Sequence, residues 1–221
     1  LQAEDEITSI NTCLGASLAG KKAMTATSGP GFSLMQEAIG FGHMTRIPIV
    51  IVNSQRVGPA TGMPTLPSQG DVLQTIHGSH GDYFPIVFYP NSVKECYIYT
   101  IHAFNASEES RTPVILLADA LLSHLHESVE LNKEIKVIER KELGFGKGKR
   151  HFTGLLSKGG IPSTKDSEYY NEWFNNYKKE IIEIAKKYEF YEYLENKNSK
   201  TLLIAYGFTS RVINPLKEKY S

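Results

Sequence analysis

Apolar and polar positions alternate in two rhythms over the first 125 residues of the chain. Ile7, Ile10, Leu14 and Leu18 stand three or four residues apart. That is the spacing of one helix face, and it predicts a helix over 5–19. Residues 23–27 predict a short strand that runs into Gly29-Pro30-Gly31, and 33–45 predict a helix with small residues on one side. Residues 47–53, IPIVIVN, form a β-branched run interrupted only by Pro48. Such runs mark strands buried on both faces of a parallel sheet. Further along, the pattern predicts a short helix at 71–80, a strand at 84–89, a helix at 92–110 and a second buried strand, PVILLA, at 113–118. Strands separated by helices in this way imply an α/β fold: a parallel sheet with right-handed crossovers and helices on both faces.

The pattern changes after about residue 135. Residues 136–200 are rich in Lys, Glu, Tyr and Asn and predict a helical linker or insert. Within it, 168–193 predict a long, largely solvent-facing helix, with Trp173, Phe174, Ile181, Ile182, Ile184 and Ala185 as its contact stripe. Residues 202–206, LLIAY, predict a strand that turns at Gly207 into a helix and so begins a second α/β domain. The expected division is therefore 1–135, 136–200 and 201–221. Glu6 already lies in a predicted core helix, and the last residues fall inside another, so a portion of a longer polypeptide is expected.

Composition narrows the classes. The 221 residues carry 24 basic and 24 acidic side chains, a net charge of zero, which argues against nucleic acid or an anionic membrane as partner. A hydrophobic content of 41% supports a true core. No apolar run approaches the roughly eighteen residues of a membrane span, and no signal peptide is visible, so a cytoplasmic location is expected. Cys13 and Cys96 are too few for the four thiolates of a usual iron–sulfur cluster, and in such a compartment no disulfide between them is expected. His77, His80 and Asp82 form at best a partial ligand set, so a structural role and no metal site is predicted for them.

Candidate chemistry gathers around Gly29-Pro30-Gly31. The turn lacks the lysine and the glycine spacing of phosphate-binding loops. Its small residues would instead let a ligand approach the backbone, and the helix after it can pack closely through Ala38 and Gly42. Arg56 follows a buried strand at its carboxyl end, where ligands collect in open parallel sheets. Its planar, permanently charged guanidinium suits a carboxylate held by two parallel hydrogen bonds. Residues 58–65 are rich in Gly and Pro, and predict a loop that is neither helix nor strand and lines the site, with Thr61 a candidate for substrate contact. Glu4, Asp5 and Glu6 taken alone merely favour a helix N-terminus.

Several of these segments resemble the alpha subunit of 2-oxoacid:ferredoxin oxidoreductases, above all of the 2-oxoglutarate type. They are Gln2-Ala3-Glu4-Asp5-Glu6-Ile7, Gly15-Ala16-Ser17-Leu18-Ala19-Gly20 and Thr25-Ala26-Thr27-Ser28-Gly29-Pro30-Gly31. The likeness continues through Gln55-Arg56-Val57-Gly58-Pro59-Ala60-Thr61-Gly62, His80-Gly81-Asp82 and Thr112-Pro113-Val114-Ile115. It extends over residues 1–130 and returns at 202–211. Thr27-Ser28-Gly29-Pro30-Gly31 is also similar to acetolactate-synthase-type enzymes, which share the pyrimidine-binding domain of thiamine diphosphate enzymes.

The resemblance implies that 1–135 is such a pyrimidine-binding domain. It would be N-terminally incomplete, because the family's Tyr-Pro-Ile-Thr-Pro-type segment is absent, and 201–221 would be the truncated start of a second domain. It implies oxidative decarboxylation of a 2-oxo acid to an acyl-coenzyme A, with electrons passed to ferredoxin. In it Glu6 activates thiamine diphosphate, Gly29, Pro30 and Gly31 bind the cofactor, and Arg56 and Thr61 bind substrate. Counting back from the turn leaves Glu4 or Glu6. Gly15 matches the family's helix glycine, and the cofactor carboxylate nine residues before it is Glu6. A separate beta subunit carrying the diphosphate-binding domain is expected to hold magnesium and the iron–sulfur cluster. The basic loop 146–150 is expected to be solvated, or else to meet an acidic group on coenzyme A or a partner. Arg46 stands where the family often has an acidic residue and is expected to be a surface change. The alternatives are another thiamine enzyme, acetolactate-synthase or transketolase-like, and a non-catalytic structural subunit.

Overall fold

The computed structural model describes residues 1–131, 134–140, 153–195, 197–213 and 215. Helix α1, Glu6–Leu18, begins where the Asp5 carboxylate accepts the Thr8 amide at 2.7 Å, a side-chain cap on an otherwise orphaned donor. Its buried residues Ile10, Cys13, Leu14 and Ser17 follow helical spacing. Strand β1, Met24–Thr27, leads through Gly29 into the short helix α2, Pro30–Leu34. After Met35 the chain re-forms as α3, Gln36–Thr45, so the single helix expected over 33–45 is two.

Strand β2, Ile49–Val57, is four residues longer than the apolar run at its carboxyl end. Strand β3, Met63–Pro67, returns antiparallel to it, pairing Val57 with Met63 and Arg56 with Pro67. This corrects the expectation of an irregular loop over 58–65. Prolines lack the amide a central strand needs, but an edge strand tolerates them. Then follow α4, Val72–His77, β4, Ile86–Phe88, α5, Val93–Ser110, β5, Pro113–Asp119, and the single turn α6, Ala120–Ser123.

The sheet runs β1-β2-β5-β4, all parallel, with β3 attached to the end of β2. Alternation along the central strands builds two cores. Ile49, Ile51, Ile115 and Leu117 face α1, α2 and α3 through Ile10, Leu14, Phe32 and Ile39. Val50, Val114 and Leu116 face α5 and a later helix, α7, Ser167–Ala185, through Ala103, Ala106, Tyr177 and Ile181. Each fully buried aliphatic side chain contributes about 1.5–3 kcal/mol, so the sheet is held from both sides.

Helix α7 is largely solvent-facing, as expected, but ends at Ala185 rather than at Tyr193. Its contact stripe closes one core, with Ile181 and Ile184 buried as expected, while Ile182 points outward at 41% exposure. The expected stripe omitted Tyr177, which is buried and whose hydroxyl lies 2.7 Å from His43 Nδ1. Arg46 is likewise no surface change. It donates to the Ser110 carbonyl at 2.7 Å and to Glu180 at 2.8 Å, and its guanidinium lies 5.3 Å from the Tyr177 ring centroid. A cation here ties α3 to α7, so an acidic residue would repel Glu180. Between α5 and α7 the chain makes a small hairpin, β6, Ser157–Lys158, with β7, Ile161–Pro162.

The strand expected at 202–206 does not form. Leu202, Leu203 and Ile204 are 67%, 59% and 75% exposed and pair with no strand among the described residues. β-branched and aliphatic residues favour a strand only where a sheet edge and a buried face receive them. The following turn of 3-10 helix, Gly207–Ile213, docks on the end of β5. The loop 146–150 lies outside the described residues.

Candidate active site

The candidate residues gather at the carboxyl ends of β1 and β2. Glu6 is the first residue of α1, placed there by the Asp5 cap, and it aims across β1 at the start of α2. A Cβ built on Gly31 would fall 2.1 Å from Thr27 Oγ1 and 2.5 Å from Glu6 Oε1. The carboxylate and the hydroxyl therefore occupy the space beside that glycine. Gly29, the N-cap of α2, has φ +60, and a Cβ on it would fall 2.5 Å from Arg56 Nε. The turn expected to matter is thus flanked by an acid at Gly31 and a guanidinium at Gly29. Glu4 is exposed, so Glu6 is the acidic side chain that reaches the turn.

Among the described residues, neither the Glu6 carboxylate nor the Arg56 guanidinium has a hydrogen-bond or ion-pair partner. Thr27 Oγ1 at the end of β1 and Arg56 Nε on β2 are shielded from solvent and, among the described residues, unpartnered, as is Asn53 Oδ1, also on β2. Thr27 and Asn53 are neighbours in the parallel ladder. A buried polar atom without a partner costs about 1–3 kcal/mol, and such atoms are rare in native folds. Three of them lie at the carboxyl end of the sheet, beside the Glu6 carboxylate, where a polar ligand would supply the missing partners.

Pro30, the first residue of α2, is exposed, and Thr61 is exposed in the turn between β2 and β3. The structure brings Glu6 against Gly31 and Arg56 against Gly29. His80 is exposed with Nδ1 3.8 Å from Glu37. Among the described residues no group of three or more His, Cys, Asp or Glu side chains could hold a metal ion. Both cysteines are free thiols, and burial pushes the Cys96 thiol up to about 11.

A further set of buried polar residues at these strand ends escaped the sequence reading. Asn53 donates to Asp71 Oδ2 at 3.0 Å, and the Asp71 amide donates to Gln55 Oε1 at 3.0 Å. The Gln55 amide donates to the Tyr89 hydroxyl, which donates to Asp119 Oδ1 at 2.8 Å. Burial, reinforced by the bond to Asp119, raises the Tyr89 phenol well above its ordinary value. The signal was available: Asn53, Gln55 and Asp119 end apolar strand runs, where a buried polar side chain demands a partner.

Residues 1–194 match the family described as pyruvate flavodoxin/ferredoxin oxidoreductase, thiamine diP-bdg. The chain is similar to the 2-oxoglutarate synthase subunit KorA of Archaeoglobus fulgidus, 50% identical over 173 residues, which cover 76% of this chain and 50% of that protein. The subunit KorA of Methanocaldococcus jannaschii is 56% identical over 142 residues, 64% of this chain and 39% of that protein. Among solved structures, the 2-oxoglutarate:ferredoxin oxidoreductase from Magnetococcus marinus with 2-oxoglutarate, coenzyme A and succinyl-CoA bound is similar. It has a TM-score of 0.74 at 33% identity, over 88% of this chain and 39% of that one. The chain thus spans half or less of the length of these relatives.

Proposed function

This chain belongs to the pyruvate flavodoxin/ferredoxin oxidoreductase family, within its thiamine diphosphate-binding region, and on that premise we propose that it is the pyrimidine-binding part of an alpha subunit of a 2-oxoacid:ferredoxin oxidoreductase. The reaction proposed is that of a 2-oxo acid, coenzyme A and two oxidised ferredoxins giving acyl-coenzyme A, carbon dioxide, a proton and two reduced ferredoxins. 2-Oxoglutarate is the substrate favoured by the names of its relatives. The observation that carries the reading is the pair of oppositely charged groups, Glu6 and Arg56, unpaired among the described residues, on either side of Gly29-Pro30-Gly31.

The residues present fit the pyrimidine end of thiamine diphosphate. Bound there, the cofactor would supply nucleophilic and electron-sink chemistry for decarboxylation of the 2-oxo acid. Glu6 offers a carboxyl group to the ring nitrogen of the aminopyrimidine and exchanges a proton with it. Gly31 leaves no side chain between that carboxyl and the heterocycle, and the Thr27 hydroxyl offers a further hydrogen bond beside it. Arg56 holds the substrate carboxylate through two parallel hydrogen bonds, with Thr61 a second substrate contact from the hairpin turn. The diphosphate, its magnesium and the iron–sulfur cluster are assigned to a beta subunit, and the assembly to the cytoplasm. Among the described residues no helix is long and apolar enough to cross a membrane.

The test is Glu6→Gln in the assembled complex. Turnover of 2-oxoglutarate with ferredoxin should fall by about 10²–10⁴-fold with the fold intact. Unchanged turnover would make the chain a structural subunit, and carboligation in place of ferredoxin reduction would make it an acetolactate-synthase relative. Submicromolar binding of thiamine diphosphate by the isolated chain would contradict the assignment of the diphosphate to a partner.

A further inference from the structure

We infer that Tyr89 is a positioning residue for Arg56, acting through Gln55. The inference rests on the reading of Arg56 as the group that holds a 2-oxo acid carboxylate. Arg56 stands one residue beyond the last parallel pair of the sheet, Gln55 with Asp119. Past that pair β2 keeps only the short antiparallel contact with β3, whose register is irregular between Arg56 and Val57. The guanidinium packs against Gly29, but among the described residues no side chain bonds to it. Its place is therefore set by the backbone that Gln55 anchors.

Gln55 is fully buried, and its amide is held at both ends. Oε1 accepts from the Asp71 amide at 3.0 Å, and Nε2 donates to Tyr89. Tyr89 follows β4 and reaches across β5 to donate to Asp119 Oδ1 at 2.8 Å. Asp119 Oδ2 accepts from the Phe208 amide at 2.6 Å and from Gln69 at 3.2 Å. Each polarity is forced. A carboxylate only accepts, so the phenol must donate to it; the phenol oxygen is then free to accept from Gln55, which turns the Gln55 carbonyl to Asp71. The relay crosses the carboxyl ends of β4, β5 and β2 in one line and stops at the residue before Arg56. Removing the hydroxyl leaves the Gln55 amide without an acceptor and frees it to turn, so the strand end that carries Arg56 loosens.

The test compares Tyr89→Phe with Gln69→Ala in the assembled complex, because Gln69 bonds Asp119 without taking part in the link to Gln55. Tyr89→Phe should raise the KM for 2-oxoglutarate by about tenfold with kcat within about twofold of the parent, and Gln69→Ala should leave both unchanged. Backbone hydrogen exchange over 54–58 should speed up in Tyr89→Phe alone. An unchanged KM in Tyr89→Phe, or an equal rise in Gln69→Ala, overturns the inference. If Tyr89→Phe does not fold, Gln55→Met, which keeps the Tyr89–Asp119 bond, must show the same rise in KM, and an unchanged value overturns it. If the parent complex oxidises no 2-oxo acid, the reading of Arg56 fails, and the exchange comparison alone decides whether Tyr89 holds the strand end.

Discussion

Adding one methyl group at Gly31 tests the site most directly. The Cβ of Gly31→Ala would meet Thr27 Oγ1 at 2.1 Å and Glu6 Oε1 at 2.5 Å, where ordinary contact begins at 3.4 Å. The hydroxyl must retreat by about 1.3 Å and the carboxylate by about 0.9 Å. Thr27 is β-branched and stiff about its first torsion, and it sits in a strand paired with β2. Glu6 is a flexible, half-buried side chain at a helix start, so the carboxylate gives way. Its exit toward solvent is cheap, but the stiff Thr27 hydroxyl must also give way at 2.1 Å, so stability should fall by about 1–3 kcal/mol even though alanine in α2 recovers up to about 1 kcal/mol of helix propensity. A displacement of about 1 Å at a proton-transferring group costs on the order of 10²-fold in rate.

The assay is 2-oxoglutarate-dependent reduction of ferredoxin by the assembled complex, read beside a thermal unfolding curve and a thiamine diphosphate titration. Gly15→Ala is the matched control. It lies in α1 with nothing within 4 Å of its new methyl, and should gain up to about 1 kcal/mol with turnover unchanged. A folded Gly31→Ala complex whose turnover and cofactor affinity stay within about threefold of the parent would refute the placement of Glu6.

Other outcomes follow from the same geometry. Gly29→Ala should raise the KM for the 2-oxo acid, because its methyl meets Arg56 Nε at 2.5 Å, and it should lower stability by about 1–2 kcal/mol, because the site has φ +60; steady-state kinetics and denaturant titration check both. Arg56→Lys removes the planar fork and should raise the same KM by about 10–100-fold with little change in unfolding midpoint. His43 is fully buried, and burial, then the Arg46 charge, pushes it down to about 3 from 6.5. The unfolded chain therefore binds the extra proton first, and stability should fall as pH drops below about 6.5 toward 3, by about 2 kcal/mol at pH 5. Denaturant midpoints across that range check this, and His43→Gln should flatten the slope. Tyr177→Phe removes the hydroxyl that meets His43 Nδ1 and should cost about 1–3 kcal/mol in the same titration.

Residue spacing predicted most helices and strands of the first 130 positions and their parallel arrangement, though not β3 or the break between α2 and α3. It made the Gly-Pro-Gly turn and Arg56 candidates, while Glu6 became one only through the family resemblance. These are local matters: helical and strand periodicity, a cap, a turn that needs small residues. Tertiary structure decided what depends on chain segments far apart meeting. It put the Glu6 carboxylate against Gly31 and the Arg56 guanidinium against Gly29. It buried Tyr177 on His43, drew Arg46 inward to Glu180, and linked Gln55, Tyr89 and Asp119 across three strand ends. It also denied 202–206 the strand its composition favours, because no sheet edge among the described residues receives it. A side chain's own chemistry states what partner it needs, but only the folded chain, by fixing distances and excluding water, settles which partner it meets and which groups remain free for a ligand.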